Sequence, residues 1–403
     1  MNKQQLAAAA LLLGLSSAAV ANDTEVDENS LFGNSDTDTQ DSMFGTESDT
    51  DDDLFGQGLL SESDGEGLDL AQQMLAGNDV FSLNGDLTLA ATTSRKDYAR
   101  TGVMSDEQMQ AYGTVTMDVR PSANLRGLVK GDYTLDQDAS DTSLREVLVD
   151  WTLADQWYLR AGKQVMHWGV GYFYSPADLI SSDSIDAADP EADRTGTEAV
   201  KLHYPTGNDN YYAYLVPQTG SSNNAVGAKG EWLLNEAELS LAGVSRPSGH
   251  NSMAMTYYLP ASDVNMFVEY ALHHGVDSSL HTSSDWVSQS TLGASYSFKD
   301  DDDYAITLRG QYYDDGLEAE QRGALSLHWS SMYQSDYTMS LSSLANFSDG
   351  SALQKASLRY TYSDDVKATL SYSSASGTSG AEYSSFGSGN AVSLKVTLLS
   401  REY

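Results

Sequence analysis

Apolar and polar residues alternate strictly through most of the chain after Val80. The alternation is clear in residues 83–89 and 304–312, and Val147, Val149 and Trp151 show it midway along the chain. A period of two is typical of β-strands, because successive side chains of a strand point to opposite faces of its sheet. We mark eighteen strands, most of them 9 to 14 residues long, and sixteen is the alternative number. They begin near residues 80, 109, 122, 143, 156, 196, 210, 223, 235, 251, 263, 286, 302, 322, 336, 351, 365 and 387.

One face of these strands is apolar along the whole chain, and no second apolar layer is available to cover it. The connections between strands also alternate in length. Tight links near residues 121, 154, 260, 334 and 364 alternate with longer ones at 95–108, 166–195, 275–285, 314–321 and 375–386. Short turns on the periplasmic side and long loops outside are typical of transmembrane barrels, and a sheet can cross a bilayer only when it is closed. We predict an all-β fold, a transmembrane antiparallel β-barrel over residues 80–403. The alternative is a secreted all-β adhesin or repeat protein.

The first 21 residues have the pattern of a secretory signal peptide. Lys3 precedes an apolar run that ends in Ala19-Val20-Ala21, so we predict cleavage before Asn22 and export. The alternative is a retained membrane anchor, which would need about 20 apolar residues and flanking charges. The chain has no cysteine, so neither disulfides nor a lipid-modified thiol are expected.

Residues 22–79 differ in composition from the rest of the chain. They contain 17 Asp and Glu and no Lys or Arg, within a total formal charge of -36 that argues against a nucleic-acid partner. Such a segment cannot bury enough apolar surface to offset its chain entropy, so we predict a disordered acidic periplasmic tail. Three Phe-Gly units interrupt it, and we interpret them as docking motifs for a periplasmic or inner-membrane partner or for assembly factors. A solubilising bristle without specific contacts is the alternative. The candidate docking residues are Phe32, Phe44 and Phe55.

The longest link, residues 166–195, is too long for a tight hairpin, and its aromatic residues would be poorly placed in a solvated coil. We predict that it folds into the lumen as a constriction loop; an external cap is the alternative. Its candidate residues are Trp168, Tyr172, Phe173, Tyr174, Asp178, Asp183, Asp186, Asp189, Glu191, Asp193 and Arg194.

Alternation also assigns a set of basic residues to the face away from lipid, where a charge avoids a cost of about 2 to 4 kcal/mol at the midplane. Acids of the loop would then face bases across a pore, giving a transverse field. The alternative is a set of ordinary salt bridges that fill a narrow barrel. The predicted basic lumenal residues are Arg126, Lys130, Arg160, Lys201, Arg309, Arg359, Lys367 and Lys395.

Residues 159–204 carry a resemblance to a known group of proteins. The succession Gly162-Lys163-Gln164, Trp168-Gly169, Ser175-Pro176-Ala177-Asp178-Leu179, Asp189-Pro190-Glu191 and Arg194 resembles a broad, porin-like group of Gram-negative outer-membrane β-barrels, many of them functionally uncharacterised. Ser175 stands where Asn is commoner in that group. An acidic tail with Leu-Phe-Gly units recurs in some of its members. The resemblance implies a membrane barrel in the outer membrane and does not imply a substrate.

The end of the chain also resembles bacterial barrels, which close with an alternating strand whose last residue is aromatic, here Tyr403. Counting back from Tyr403 puts Arg401 and Thr397 at positions where apolar residues are expected. We therefore predict a bulge near Leu398-Leu399.

The function that these patterns favour is a porin-like channel for small polar solutes, coupled to periplasmic partners through the tail. One alternative is a barrel that moves lipid or another hydrophobic compound, and another is a surface scaffold or adhesin with a closed lumen. Motifs of nucleophilic or metal-dependent hydrolases are missing from the sequence, so we predict no enzyme, no catalytic residues, no metal and no cofactor. The expected partners are outer-membrane lipid and the barrel assembly machinery.

Overall fold

The structure is a computed structural model that describes residues 80–98, 102–136, 140–154, 156–181, 183–217, 224–247, 249–276, 280–282, 284–300, 304–332, 335–384 and 388–400. The predicted signal peptide, the acidic tail and Phe32, Phe44 and Phe55 lie outside these residues. The strands are β1 (Phe81–Tyr98), β2 (Gly102–Ser122), β3 (Leu125–Asp136), β4 (Ser140–Leu153), β5 (Trp157–Gln164), β6 (Thr197–Thr206), β7 (Asp209–Val216), β8 (Ala225–Leu234), β9 (Ala237–Ser245), β10 (Asn251–Ala261), β11 (Val264–His274), β12 (Trp286–Asp300), β13 (Tyr304–Asp315), β14 (Glu320–Ser330), β15 (Tyr337–Asn346), β16 (Ser351–Ser363), β17 (Val366–Ser376) and β18 (Gly389–Ser400).

The strands form one closed sheet. Each strand pairs antiparallel with the next along the chain, and β18 pairs with β1 from Gly85 opposite Ser400 to Lys96 opposite Gly389. This confirms the predicted antiparallel barrel, with eighteen strands instead of the alternative sixteen. In the described part of the chain, no helix is long and apolar enough to cross a membrane.

The two faces of the barrel wall differ in the way that the alternation predicts. On β11, Val268 is 39 % exposed and lies between Phe267 and Glu269, which are buried. Large apolar residues of the other strands are exposed in the same manner, so the outer surface carries an apolar belt. A belt of this kind is stable only against acyl chains, because water offers nothing to cover it.

The two rims of the barrel also differ. At one rim the connections are short, such as residues 123–124, 207–208, 235–236 and 364–365, and we call it the tight-turn rim. The opposite rim carries longer connections, among them residues 217–224, 275–285 and 377–388. Strand β1 begins at the tight-turn rim, because Phe81 pairs with Val119 shortly before the turn into β3. The chain that precedes Val80 therefore starts from this rim.

The predicted loop at residues 95–108 is mostly strand, so the sequence interpretation was wrong there. Strands β1 and β2 remain paired up to Tyr98 opposite Gly102. At the end of this hairpin, Val103 and Met104 are 50 % and 57 % exposed although they point to opposite faces. The backbone hydrogen bonds between β1 and β2 thus continue beyond the apolar belt. In that region the side chains do not alternate, so the sequence pattern does not indicate a strand.

The predicted bulge near Leu398 is also wrong within the described residues. Strand β18 keeps an unbroken register with β1 through Ser400 and with β17 through Leu398. Leu398 points outward, whereas Thr397 is buried and its hydroxyl lies 2.9 Å from that of Thr88. Thr397 is a lumenal residue in regular alternation, so no irregularity is needed to explain its polarity.

Candidate functional site

The long connection between β5 and β6, residues 165–196, lies inside the barrel, and we call it the lumenal loop. Its residues contact inward-facing side chains of β11 and β13, which lie far from β5 and β6 in the order of strands. The in-folded loop is therefore confirmed as a feature of the fold. Because the loop enters the lumen, its contacts decide how much of the interior stays open.

Glu269 on β11 is the main anchor of the lumenal loop. Its side chain is fully buried, and Oε1 accepts hydrogen bonds from the backbone amides of Val170 at 2.5 Å and Gly171 at 2.7 Å. Oε2 accepts from the Ser175 hydroxyl and the Ala177 amide, each at 3.0 Å. A buried carboxylate is stable only when its oxygens are well satisfied, and here the donors all belong to the loop.

A second anchor is Gln311 on β13. Its Oε1 accepts a hydrogen bond from the Phe173 amide at 2.9 Å, and its Nε2 donates to the Tyr174 carbonyl oxygen. The ring of Tyr174 stacks on Tyr313, with centroids 5.0 Å apart and the planes at 8°. The aromatic tip of the loop is thus held against the wall that lies across the lumen from β5.

The two ends of the loop are tied to the strands next to it. The Val165 amide donates to Glu146 at 2.9 Å, and Arg145 forms an ion pair with Asp193. Farther along, Arg246 at the end of β9 donates to the Leu179 carbonyl oxygen at 2.6 Å. These contacts fix the loop at its beginning, middle and end.

The underside of the loop packs on β6 to β11 as an apolar cluster. Trp168 is 1 % exposed, and its ring centroid lies 4.9 Å from that of Tyr214 on β7. Leu179 and Ile180 belong to the same cluster. Phe173 is also buried and packs with Ala324 and Leu344 on the other side of the lumen. The loop therefore packs on β6 to β11 and reaches β14 and β15 through Phe173.

The loop acids have separate environments. Asp178 accepts a hydrogen bond from Arg194 at 2.8 Å, and burial together with the charge of Glu269 raises the pKa of Asp178 to about 8. Arg194 also contacts His167 Nε2 at 2.7 Å, and burial lowers the pKa of Arg194 to about 10. Asp183 and Asp186 bind backbone amides inside the loop. These four side chains bind within the loop and do not line the cavity described next.

A cavity of about 130 Å³ lies between the loop and the strands β13 to β18. The loop contributes Tyr172, Phe173 and residues 188–191, which include Asp189 and Glu191. Asp189 lies 3.9 Å from Lys355 on β16, and Glu191 accepts a hydrogen bond from the Tyr172 hydroxyl. The wall contributes hydroxyl groups of β15 to β17 and four cations, Arg309, Lys355, Arg359 and Lys395.

The predicted basic residues divide into two groups. Arg126 binds Asp118 at 3.0 Å, Arg160 binds Asp150 at 2.6 Å and Lys130 lies 3.5 Å from Glu146, all on β2 to β5. Lys201 on β6 lies over the ring of Tyr212 at 5.8 Å. These four belong to ion pairs or stacks within the wall. The remaining four are Arg309, Arg359, Lys367 and Lys395. Arg309 stacks on the Tyr172 ring at 4.4 Å, and Lys367 faces the lumen.

Sequence reasoning did not identify several residues of this site. Glu269 could have been found, because it is a charged residue at an inward position between the apolar residues Val268 and Tyr270. Lys355 could have been found from the alternation that places Arg359, four residues farther along the same strand, on the lumenal face. Gln311, Tyr313 and Arg246 carried no such signal, since polar and tyrosine side chains are ordinary on a lumenal face. Their role follows only from where the loop reaches.

Comparisons with known proteins were made for sequence and for structure. No protein-family model matches the chain, and no curated protein matches it in sequence. Solved structures do match it. OccK2 (OpdF) of Pseudomonas aeruginosa in complex with glucuronate has a TM-score of 0.54 at 12 % identity, over 79 % of this chain and 97 % of that chain. The outer membrane protein opdK of Pseudomonas aeruginosa has a TM-score of 0.51 at 10 % identity, over 80 % of this chain and 99 % of that chain.

A BenF-like porin from Pseudomonas fluorescens Pf-5 has a TM-score of 0.52 at 10 % identity, over 79 % of this chain and 98 % of that one. At such low identities the similarity shows a shared fold. The apolar belt, the closed sheet and the in-folded loop of this chain agree with that fold. The chain therefore has the fold of porins, a closed eighteen-stranded β-barrel.

Proposed function

We propose that the protein is a channel for small polar solutes across the outer membrane. The observation that carries the proposal is the cavity between the lumenal loop and the wall of β13 to β18. Cations and hydroxyl groups line the wall side of this cavity, while Asp189 and Glu191 line the loop side. A passage with charges of opposite sign on its two sides favours dipolar and charged solutes over apolar ones.

The wall cations also suggest which solutes are favoured. Arg309, Lys355, Arg359 and Lys395 outnumber the two loop carboxylates at the cavity, so the passage favours anions. The solved OccK2 complex contains glucuronate, which is a small polar anion. A small hydroxylated carboxylate is therefore a suitable first solute for transport assays of this protein.

The test is single-channel recording of the purified protein in planar bilayers under a KCl gradient. We expect stable openings and a reversal potential on the anion side. Changing Lys355, Arg359 and Lys395 together to Gln should move the reversal potential toward cation preference, because the wall loses three positive charges. Lys130→Gln is the matched control, since Lys130 pairs with Glu146 on another part of the wall.

Two results would contradict the proposal. Silence of the purified protein in the bilayer at all voltages would favour a lipid-handling barrel or a closed scaffold. An unchanged reversal potential in the triple variant would show that ions take a different route from the cavity.

A further inference from the structure

Strand β2 continues beyond its neighbour β3 at the rim opposite the tight turns. The last pair between β2 and β3 joins Gln110 to Asp136, whereas β2 stays paired with β1 as far as Gly102. Among the described residues, β2 therefore has a neighbouring strand on only one side from Gly102 to Met109. We call this segment, residues 102–109, the free edge. At about 3.4 Å per residue it is roughly 24 Å long.

The free edge presents backbone groups that point away from β1. The Arg120 amide donates to the Val80 carbonyl oxygen at 2.8 Å, and the register of β1 and β2 keeps one offset from there to the end of the hairpin. Because the bonding groups of a strand alternate between its two sides, the even-numbered residues of β2 bind β1. The residues whose N–H and C=O groups point to the open side are Val103, Ser105, Glu107 and Met109.

The hydrogen bond of the Glu107 amide agrees with this assignment. Its N–H donates to Oδ1 of the preceding residue, Asp106, at 3.1 Å. A local bond from a side chain to the backbone takes the place of a missing ladder bond. Thr142 donates to Asp141 in the same way at 2.9 Å, where β4 extends past β5. The bond at Glu107 is exposed, so the carbonyl oxygen of an incoming strand can replace the carboxylate of Asp106.

The surroundings of the free edge are exposed and acidic. Residues 103–107 are all exposed, and so are residues 135–136 and 140–144 at the ends of β3 and β4. Gln108 connects β2 to β3 through a hydrogen bond from its Nε2 to Asp136 Oδ2 at 3.3 Å. The carboxylates at the free edge come from three strands: Asp106 and Glu107 on β2, Asp136 on β3 and Asp141 on β4.

The cations near these carboxylates lie one strand away or deeper in the wall. Arg95 and Lys96 belong to β1, one strand farther from the open side than β2. Arg145 on β4 is held by Asp132 and Asp193. The open side of β2 therefore carries a negative potential, which favours a positively charged partner.

We propose that the free edge of β2 is a docking site for an extended, positively charged peptide segment, which adds to the sheet as a further strand. An exposed edge is a template for strand addition, in which main-chain hydrogen bonds supply affinity. The surrounding carboxylates then select segments rich in lysine or arginine. A second copy of this chain is disfavoured, because it would bring Asp106 and Glu107 of both copies into one short ladder. The docking site does not depend on conduction through the barrel.

The test measures binding of a fluorescent peptide to the full mature chain in detergent, by fluorescence anisotropy. The peptide is short, capped at both ends, and alternates Lys with Val and Thr. A control peptide has the same sequence with an N-methyl group on every interior amide, so it keeps its charge but cannot donate to a strand. We expect the unmodified peptide to bind several-fold more tightly than the control at low salt.

Ser105→Pro and Ser105→Ala form the matched pair of variants. The Ser105 amide points to the open side, so proline removes a donor that the β1–β2 ladder does not use, and edge strands tolerate such a proline. Alanine keeps the donor. Binding should weaken several-fold in Ser105→Pro and stay at the wild-type level in Ser105→Ala. The peptide also binds acids elsewhere in a chain of formal charge -36, but that background is common to both variants.

The double variant Asp106→Asn with Glu107→Gln separates charge from backbone pairing. It should bind the unmodified peptide several-fold more weakly than the wild type and with less dependence on salt. It should still prefer the unmodified peptide to the N-methylated one, because its backbone groups are unchanged. Heat-modifiable mobility on gels checks that every variant forms a folded barrel.

Three results would overturn the proposal. Equal binding of the two peptides by the wild type, or no binding of either, would refute strand addition. Equal binding by Ser105→Pro and Ser105→Ala would place the peptide elsewhere. Because the chain has no cysteine of its own, disulfide-linked dimers of Ser105→Cys without peptide would assign the free edge to a second copy. None of these results bears on the channel, which the bilayer recordings test separately.

Discussion

Glu269 offers the sharpest test of how the lumenal loop is held inside the barrel. Four loop groups donate to its carboxylate: the amides of Val170, Gly171 and Ala177 and the hydroxyl of Ser175. In Glu269→Ala all four lose their acceptor. Hydrogen bonds to a charged group contribute about 1.5–3 kcal/mol each, and they are not additive, so we expect the inward position of the loop to lose about 3–6 kcal/mol.

A loss of that size shifts the equilibrium between the folded-in and released loop by about 10²- to 10⁴-fold. The barrel should still assemble, because its strand ladder does not depend on Glu269. Glu269→Gln should have a smaller effect, since one amide oxygen can still accept from Val170 and Gly171. Its NH₂ group, however, would face the Ala177 amide, which is itself a donor.

The assay is single-channel recording together with limited trypsin digestion of the folded barrel. Glu269→Ala should give larger, noisier openings and faster cleavage after Arg194, and Glu269→Gln should lie between it and the wild type. Glu231→Gln is the control, because Glu231 is a buried carboxylate that contacts Lys229 and Tyr212 on β7 and β8. Wild-type conductance and protease resistance in Glu269→Ala would refute the anchoring role.

Three further predictions concern the loop and the tail. In Gly169→Ala, the added Cβ would collide with the Ser175 hydroxyl and with the Glu269 carboxylate, so conductance should rise as in Glu269→Ala. Gly127→Ala should be neutral in the same recordings, because its Cβ would meet only the Val119 carbonyl oxygen at 4.0 Å, an ordinary contact. Burial raises the pKa of Asp178 from 3.8 to about 8, so the inward position of the loop is most stable below about pH 4 and loses this stability as the pH rises from about 4 to 8. Openings should therefore grow noisier over that range, and Asp178→Asn should abolish the pH dependence. If the tail motifs dock a periplasmic partner, changing Phe32, Phe44 and Phe55 to Ser should remove that partner from affinity captures made in the periplasm. Unchanged capture would contradict docking.

The strands were predictable because their signal is local. Each residue of a strand takes its face from its immediate neighbours, so alternation in residues 263–274 or 387–398 places every side chain without reference to the rest of the chain. The same reasoning failed at residues 95–108, where β1 and β2 stay paired beyond the apolar belt. There the hydrogen-bond ladder between β1 and β2 continues, but both faces of the hairpin are in water. Apolar and polar side chains therefore have no reason to alternate.

The basic lumenal residues show what alternation alone does not predict. Alternation assigned Arg126, Arg160 and Arg359 to the lumen alike. Only the fold shows that Arg126 and Arg160 share Asp150 within the wall, whereas Arg359 lines the cavity. The face of a strand is a local property, but the partner of a charge depends on which strands are adjacent and how they are staggered.

By itself, the sequence determined the strands, their apolar outer face, the long loop and the acidic segment before Val80. The tertiary structure decided that the loop crosses to Glu269 and Gln311, about a hundred residues away or more, and leaves a cavity beside β13 to β18. The physical reason is that periodicity encodes which side of the wall a residue occupies. The contacts between the lumenal loop and the wall form only in the closed barrel. Closure brings strands that are distant in the chain within hydrogen-bonding distance of the loop.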